Sequence, residues 1–365
     1  MKFVIIGPVY PYRGGISHHN SSLILAIQSL GHDVLPISFK RQYPKFLYPG
    51  KSDKDPSKVR MSIDALFILD PIDPFSWIRA IREIEKFGPD KVVFHWWSSF
   101  WAPMYIYLLR NLSKNKKSSV CIVHNVFPHE KRYFDKFLAK LILKSFSKLI
   151  VHSIAEQEKI KKLGIQSVVS YIPHPIYDTL ASNVKIDKTE AKTKLGFSID
   201  KTIILMFGIV RKYKGLSVLL DSIKILIEDD HKEIHLLVAG EFWEPVEQYR
   251  QKIHELKIDE YVTIQNRYIS NEDIPVIFTA ADLFVAPYTG GTQSGAIKLA
   301  MAFDLPIIST TIVGDESKYV DNWKKVIPGN PKVLSRAIQE FDFKTKNYTN
   351  VGVSWEEFAQ LVETI

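Results

Sequence analysis

Short apolar runs alternate with longer amphipathic stretches along the whole chain. Runs at 3–7, 34–38, 91–96, 120–124, 149–153 and 167–172 predict strands in the first half. Those at 203–207, 235–239, 262–265, 283–287 and 306–309 predict strands in the second. Several are unbroken apolar runs, Ile-Ile-Leu-Met-Phe at 203–207 among them, as strands covered on both faces require. Between them, apolar positions three and four apart predict helices over 17–30, 74–87, 136–148, 216–228, 246–256 and 295–302. Strand–helix–strand repetition implies parallel sheets with right-handed crossovers. The expected architecture is α/β, two Rossmann-like domains facing each other across a cleft. The polar stretch 181–192 is the expected linker. It divides an N-terminal domain at 1–180 from a C-terminal domain at 181–345, with 346–365 expected as a helix packing back towards the first.

Length agrees with two domains, since single cores stop growing near roughly 250–300 residues and the chain has 365. Hydrophobic residues at 46% and charged residues at 24% exclude a disordered or low-complexity chain. A single cysteine, Cys121, excludes an internal disulfide and a thiolate zinc site. No signal peptide and no apolar stretch of bilayer length is evident, so the expectation is a cytoplasmic protein whose membrane contact is peripheral. The formal charge of +8 is unevenly spread: residues 1–185 carry 27 basic and 14 acidic side chains, the remainder 21 and 26. A +13 half joined to a −5 half suggests different partners for each.

In open α/β sheets ligands bind beyond the carboxyl ends of strands, so the loops at those ends are the candidates. Gly14-Gly15, after the first strand and at a helix start, let backbone N–H groups approach an anion; the alternative is a simple turn. Arg211-Lys212-Tyr213-Lys214-Gly215 sets three cations before the first helix of the second half, a phosphate or diphosphate site or else a solvated basic loop. Thr289-Gly290-Gly291-Thr292-Gln293-Ser294-Gly295 converges hydroxyls, an amide and glycines on another helix start, where Ser294 or Thr292 could also simply cap the helix. His124 ends a strand, with His129-Glu130 nearby. Asp53-Lys54-Asp55 reads as a solvated charged loop rather than a metal motif. The eleven histidines, including the pair His18-His19, lack the spacing with Glu of a metalloprotease helix.

Taken in order, these loops resemble the nucleotide-sugar glycosyltransferases of the GT-B fold, family 4. Leu236–Gly240, Asp282–Pro287 and the Ala300-Met301-Ala302 segment extend the likeness over almost the whole chain. The resemblance implies retaining, hexosyltransferase-like transfer from a nucleoside-diphosphate sugar, without an obligatory metal or other cofactor. It makes the first domain the acceptor domain and the second the nucleotide-sugar domain. By the same likeness Gly14 and Gly15 would face the diphosphate, Arg211 and Lys214 would neutralise it as it leaves, and His124 would hydrogen-bond the donor sugar. Asn266 and Tyr268 would lie at the base, and Thr292, Gln293, Ser294 and Gly295 along the donor. The family's Glu-x7-Glu pair aligns with Gly291 and Leu299, so both acids are absent, and Thr292 or Gln293 would replace the first as an uncharged hydrogen-bonding group. The departure leaves an alternative open: a catalytically weak relative that binds nucleotide sugar or glycan.

The basic first half is expected to take a saccharide or lipid-linked acceptor of cell-surface glycan synthesis, with Trp96, Trp97 and His129 as acceptor contacts; burial of the tryptophans in the core is the other reading. Lys136, Lys140, Lys144 and Lys148 recur every four residues among Phe137, Leu138, Leu141, Ile142 and Phe146. This face is either the solvated side of a core helix or a docking surface for anionic lipid at the inner face of the cell membrane. No nucleic-acid motif accompanies the charge, so nucleic acid is not an expected partner.

Overall fold

A computed structural model describes residues 1–44, 50, 52–58, 60–112, 118–128, 133–181, 185–291, 294–313, 322–341 and 353–365. The chain divides into two units: Met1–Asp55 with Arg60–Pro175 and Val353–Ile365, and Pro56–Val59 with Ile176–Gly352.

The first unit is built on a sheet of seven described strands, all parallel, in the order β3-β2-β1-β4-β5-β6-β7. They are β1 (Lys2–Ile6), β2 (Asp33–Phe39), β3 (Leu66–Leu69), β4 (Lys91–Trp96), β5 (Ser119–Val123), β6 (Lys148–Val151) and β7 (Val168–Tyr171). The unbroken apolar runs predicted as strands are those buried on both faces; every residue of β4 and β5 is buried. Helices α1 (Gly15–Ser29), α2 (Pro74–Phe87), α3 (Ala102–Asn111), α4 (Asp135–Leu143) and α5 (Ile154–Lys162) connect them. Asp73 caps α2 by accepting from Phe75 N, with Pro74 at its first position, and Gly88 closes it in the left-handed region at φ +64°, the start and stop chemistry its sequence announces. The lysine-striped helix ends earlier than its pattern suggests. It stops at Leu143, and Lys148 opens β6, because the chain turns through Ser145, whose hydroxyl donates to Leu141 O at 3.0 Å. Lys136, Lys140 and Lys144 remain an exposed row.

The second unit repeats the plan with six described parallel strands in the order β10-β9-β8-β11-β12-β13. These are β8 (Thr202–Phe207), β9 (Ile234–Ala239), β10 (Val262–Gln265), β11 (Leu283–Ala286), β12 (Ile307–Thr310) and β13 (Trp323–Val326). Its helices are α6 (Asp178–Ala181), α7 (Lys188–Lys194), α8 (Leu216–Glu228), α9 (Glu247–Glu255), α10 (Ile274–Ala280), α11 (Gly295–Ala302) and α12 (Pro331–Gln339). The stretch expected as a polar linker contains most of α7. Asp187 accepts from Glu190 N at its start, and Lys188 and Lys192 both reach the Asp282 carboxylate, at 2.6 and 3.0 Å.

The last helix, α13 (Trp355–Thr364), belongs to the first unit. Ser354 and Glu357 close a capping box at its start, and the Lys91 ammonium donates to Val362 O at 2.9 Å at its end, a cation placed where the helix dipole favours one. Trp355 and Phe358 are buried and meet the ring of His19 on α1 at 5.1 and 5.5 Å between centroids.

In each sheet the connection reverses direction at one point, between β1 and β4 in the first and between β8 and β11 in the second. The loops leaving these strands flank the crevice where open α/β sheets bind ligands. They are the loops that carry Gly14-Gly15, the Arg211–Gly215 cations and Ser294.

Candidate functional site

Two loops of the second unit are brought together. The loop after β8 runs from Gly208 to a 3₁₀ turn at Lys212–Lys214, and Gly215 then opens α8 at φ +75°. A β-carbon on Gly215 would stand 2.0 Å from Pro287 O, so only glycine lets the two loops approach this closely. They are joined by Thr289, whose backbone N–H donates to Tyr213 O at 2.7 Å. Tyr288, at the end of β11, is buried and its hydroxyl lies 2.9 Å from Ser294 Oγ. Burial pushes that phenol up to about 12 despite the Ser294 bond. Ser294 also caps α11, accepting from Ile297 N at 3.4 Å.

Lys214 is half-buried. Its Nζ lies 5.3 Å from the Tyr288 ring centroid and 3.1 Å from where a β-carbon on Gly208 would be. Burial lowers the pKa of its ammonium, partly offset by Tyr213 and reinforced by Arg211. Among the described residues no carboxylate comes within 4.0 Å of it. The Arg211 guanidinium carbon stands 5.5 Å from the Trp243 ring and 5.9 Å from that of Tyr213. A desolvated ammonium beside a second cation, with no acid against it, is an environment that an incoming anion relieves.

Asn266 and Tyr268 follow β10. Asn266 is exposed, and its side-chain oxygen accepts from Phe242 N at 3.0 Å; Tyr268 is half-buried. The loop after β9 carries Phe242 and lies along that after β8, Val210 N donating to Glu241 O and Trp243 N to Val210 O. Thr292 and Gln293 lie outside the described residues, as does His129 of the first unit.

In the first unit Gly14 precedes α1 at φ +108°, with no side chain capping the helix and no acid in its first turn. A β-carbon on either Gly14 or Gly15 would meet nothing within 4 Å, so this helix start opens onto free space. The neighbouring charged loop is solvated only in part, Lys54 being exposed and Asp55 not. Asp55 is buried and accepts the approach of His18 Nε2 at 3.5 Å, while Lys54 sits 3.1 Å over the Tyr12 ring. His124, just past β5, is buried against His95, with His95 Nδ1 and His124 Nε2 3.0 Å apart. Burial drives its pKa well below the ordinary value, with the histidines around it adding to the shift. Trp96 is fully buried and donates to Val126 O at 3.3 Å; its ring serves the core and offers no surface to an acceptor. Trp97 is half-buried, its indole donating to Tyr43 Oη at 2.9 Å.

Sequence pattern does not single out His19, His95, His152 and His174, which surround His124. Three of them carry a usable signal: His95 is in the central strand β4, and His152 and His174 follow β6 and β7, all at the carboxyl-end level of the sheet.

Two parallel-sheet units, each with a glycine-bearing loop before a helix at its switch point, define the class: a GT-B-type α/β protein. Residues 201–341 match the family model described as glycosyl transferases group 1, and residues 13–179 match that of glycosyltransferase family 4. The chain belongs to the family 4 glycosyltransferases of GT-B fold. It is 25% identical to the Bacillus subtilis protein YtcC over 229 residues, 58% of this chain and 54% of that one. With the mannosylfructose-phosphate synthase of Agrobacterium fabrum it shares 27% over 132 residues, 34% of this chain and 29% of that one. The chain therefore spans about half or less of these curated relatives. The Anabaena protein Alr3699/HepE, solved with UDP and glucose, superposes with a TM-score of 0.70 at 15% identity, covering 99% of this chain and 96% of that one.

Proposed function

We propose that this chain transfers a sugar, with retention of configuration, from a nucleoside-diphosphate donor to a saccharide or lipid-linked acceptor in cell-surface glycan synthesis. The observation that carries the reading is Lys214, a desolvated ammonium at the switch point of the second sheet, beside Arg211 and without a described carboxylate partner. As the diphosphate departs, negative charge grows on its oxygens while the sugar becomes oxocarbenium-like. Cations fixed at those oxygens stabilise that state more than the ground state, so Arg211 and Lys214 take the part a metal plays elsewhere and no metal is needed at the diphosphate. Gly14 and Gly15, at a helix start whose backbone favours an anion, are assigned to the donor diphosphate. His124, whose pKa burial drives well below the ordinary value, is assigned to a hydroxyl of the donor sugar. Asn266 and Tyr268 are assigned to the base, Ser294 and Gly295 with Thr292 and Gln293 to the donor sugar and phosphates, and Trp97 with His129 to the acceptor.

The acceptor side favours a membrane. Tyr133, Phe134 and Phe137 are exposed, and Lys136, Lys140 and Lys144 are exposed beside them on α4. Aromatic rings with a row of lysines fit an anionic bilayer surface, and no described helix is long and apolar enough to cross one. Contact at the inner face of the cell membrane follows from this reading.

The test is a thermal-shift screen of UDP-, GDP- and ADP-sugars followed by nucleotide release with the stabilising donor. A ligand at 100 times its Kd adds about 2.7 kcal/mol to stability. No stabilisation by any of the three overturns the donor reading. Stabilisation without nucleotide release favours the alternative, a relative that binds nucleotide sugar without turning it over, to which Gly291 and Leu299 in place of two acids point.

A further inference from the structure

Five of the eleven histidines gather inside the first unit, far more than a donor sugar requires. The ring of His19, on α1, lies 4.8 Å from that of His124, 4.9 Å from those of His152 and His174, and 5.6 Å from that of His95, centroid to centroid. His19 and His95 are completely buried, and His124 is 6% exposed. Neither ring nitrogen of His19 has a hydrogen-bond partner among the described residues, nor has His95 Nε2. A neutral imidazole always carries one N–H and one lone pair. Leaving both buried and unsatisfied is costly, and such an orphan calls for an occupant.

We propose that His19, His95 and His124 form a binding site for a divalent transition metal of the zinc class. Each offers a ring nitrogen within 4.8 Å of those of the other two. His95 Nδ1 and His124 Nε2 share a hydrogen bond at 3.0 Å, which a metal would replace: nitrogens at about 2.0–2.1 Å from a tetrahedral zinc lie roughly 3.4 Å from one another, and both must then present lone pairs. Burial holds all three imidazoles neutral, the form that binds metal. The flanking rings are fixed by their own backbone partners, the Nδ1 atoms of His152 and His174 meeting the carbonyls of Ile172 and Pro175 at 2.9 and 2.6 Å. A carbonyl only accepts, so these Nδ1 atoms carry the protons and the lone pairs lie on Nε2. Three imidazoles leave a fourth position for water or a hydroxyl ligand. The site ties α1 to β4 and β5, and it is separate in chemistry from the diphosphate cations of the second unit.

The experiment titrates untagged, chelator-treated full-length protein with Co²⁺ in the absence of any nucleotide sugar, so that it stands apart from the donor reading. Expected are visible d–d bands of tetrahedral cobalt saturating at one ion per chain, displaced by Zn²⁺, with one zinc per chain by elemental analysis. His19→Ala and His95→Ala are expected to abolish the bands, while His254→Ala, an exposed residue, leaves them intact. A wild-type spectrum unchanged by stoichiometric Co²⁺ overturns the site, whether or not the variants fold. So do bands that persist in folded His19→Ala and His95→Ala protein.

Discussion

Replacing Lys214 by alanine tests the donor reading most directly. In the ligand-free protein its ammonium stands between Tyr288 and the end of β8, lowered in pKa by burial and by Arg211, without a described carboxylate within 4.0 Å. Removing it breaks no described ion pair and leaves no buried counter-charge behind, so the fold should lose little stability. Its effect should fall on the diphosphate. Removing one preorganised donor from a developing oxyanion costs about 2.7–4 kcal/mol, or roughly 10²–10³ in turnover. Lys214→Ala is therefore expected to lower kcat for nucleotide release at least about a hundredfold, with a melting temperature near that of the wild type. The protonation sign is also fixed. With a folded pKa below the usual ammonium value of about 10.4, the charge is lost earlier as pH rises, so donor affinity should fall on the alkaline side in the wild type and not in the variant. Over the same range the ligand-free protein gains stability, because the unfolded chain binds the extra proton. A variant that turns over within about threefold of wild type, a difference of only about 0.6 kcal/mol, refutes the role given to Lys214.

Gly215→Ala should fail for a different reason. Its β-carbon would stand 2.0 Å from Pro287 O at φ +75°, and strain of about 1–3 kcal/mol should lower the melting temperature by several degrees and separate the two donor loops, read by differential scanning calorimetry and by donor affinity. Metal-free protein should lose stability on acidification: His95 has a folded pKa of about 3 against about 6.5 unfolded. Its contribution is complete above about 6.5 and drains away between that value and about 3, at about 1.4 kcal/mol per pH unit. Urea midpoints that do not fall between pH 6.5 and 5 would contradict this. Exchanging Phe137 for serine and Lys140 for glutamate should weaken cosedimentation with anionic vesicles. Each near-surface lysine contributes about 1 kcal/mol and the exposed ring about 1.5–3 kcal/mol if buried in lipid; unchanged binding removes α4 from the membrane surface.

Continuous apolar runs make most strands legible, since a parallel strand covered on both faces must be apolar throughout. Two strands are not among those expected: Leu66–Leu69, although Leu-Phe-Ile-Leu is itself an unbroken apolar run, and Trp323–Val326, whose interior is Lys-Lys. The second lies at the sheet edge, where a strand needs less burial and so leaves a weaker signal. Helix 74–87 is readable to the residue because Asp73, Pro74 and Gly88 mark both ends, whereas α4 stops inside its own apolar pattern, at Leu143, for a turn the pattern does not encode. The loop residues of the second unit can be placed from their position after strands. The histidine nest cannot, because its members come from α1, β4 and the ends of β5, β6 and β7 and share no spacing in sequence. Charge misleads at Asp55 alone, where three consecutive charged residues suggest solvent: Lys54 is exposed over the Tyr12 ring, whereas the Asp55 carboxylate is buried.

Net charge and chemical charge are distributed in opposite ways. The first half carries +13, yet the buried polar group at its centre is a set of imidazoles that burial keeps uncharged. Its lysines on α4, Lys136, Lys140 and Lys144, stand outside in water, where attraction for an acidic surface is weakened by salt. The second half is net negative but has three cations in the loop at its switch point, Lys214 among them with its pKa lowered by burial. Among the described residues no carboxylate within 4.0 Å competes for the charge of Lys214. The field of a half-buried ammonium is less screened, and acts more strongly at about 4 Å, than that of the same charge in water. Donor binding should therefore withstand added salt that strips the protein from an anionic membrane, because the two attractions come from cations in different dielectric surroundings.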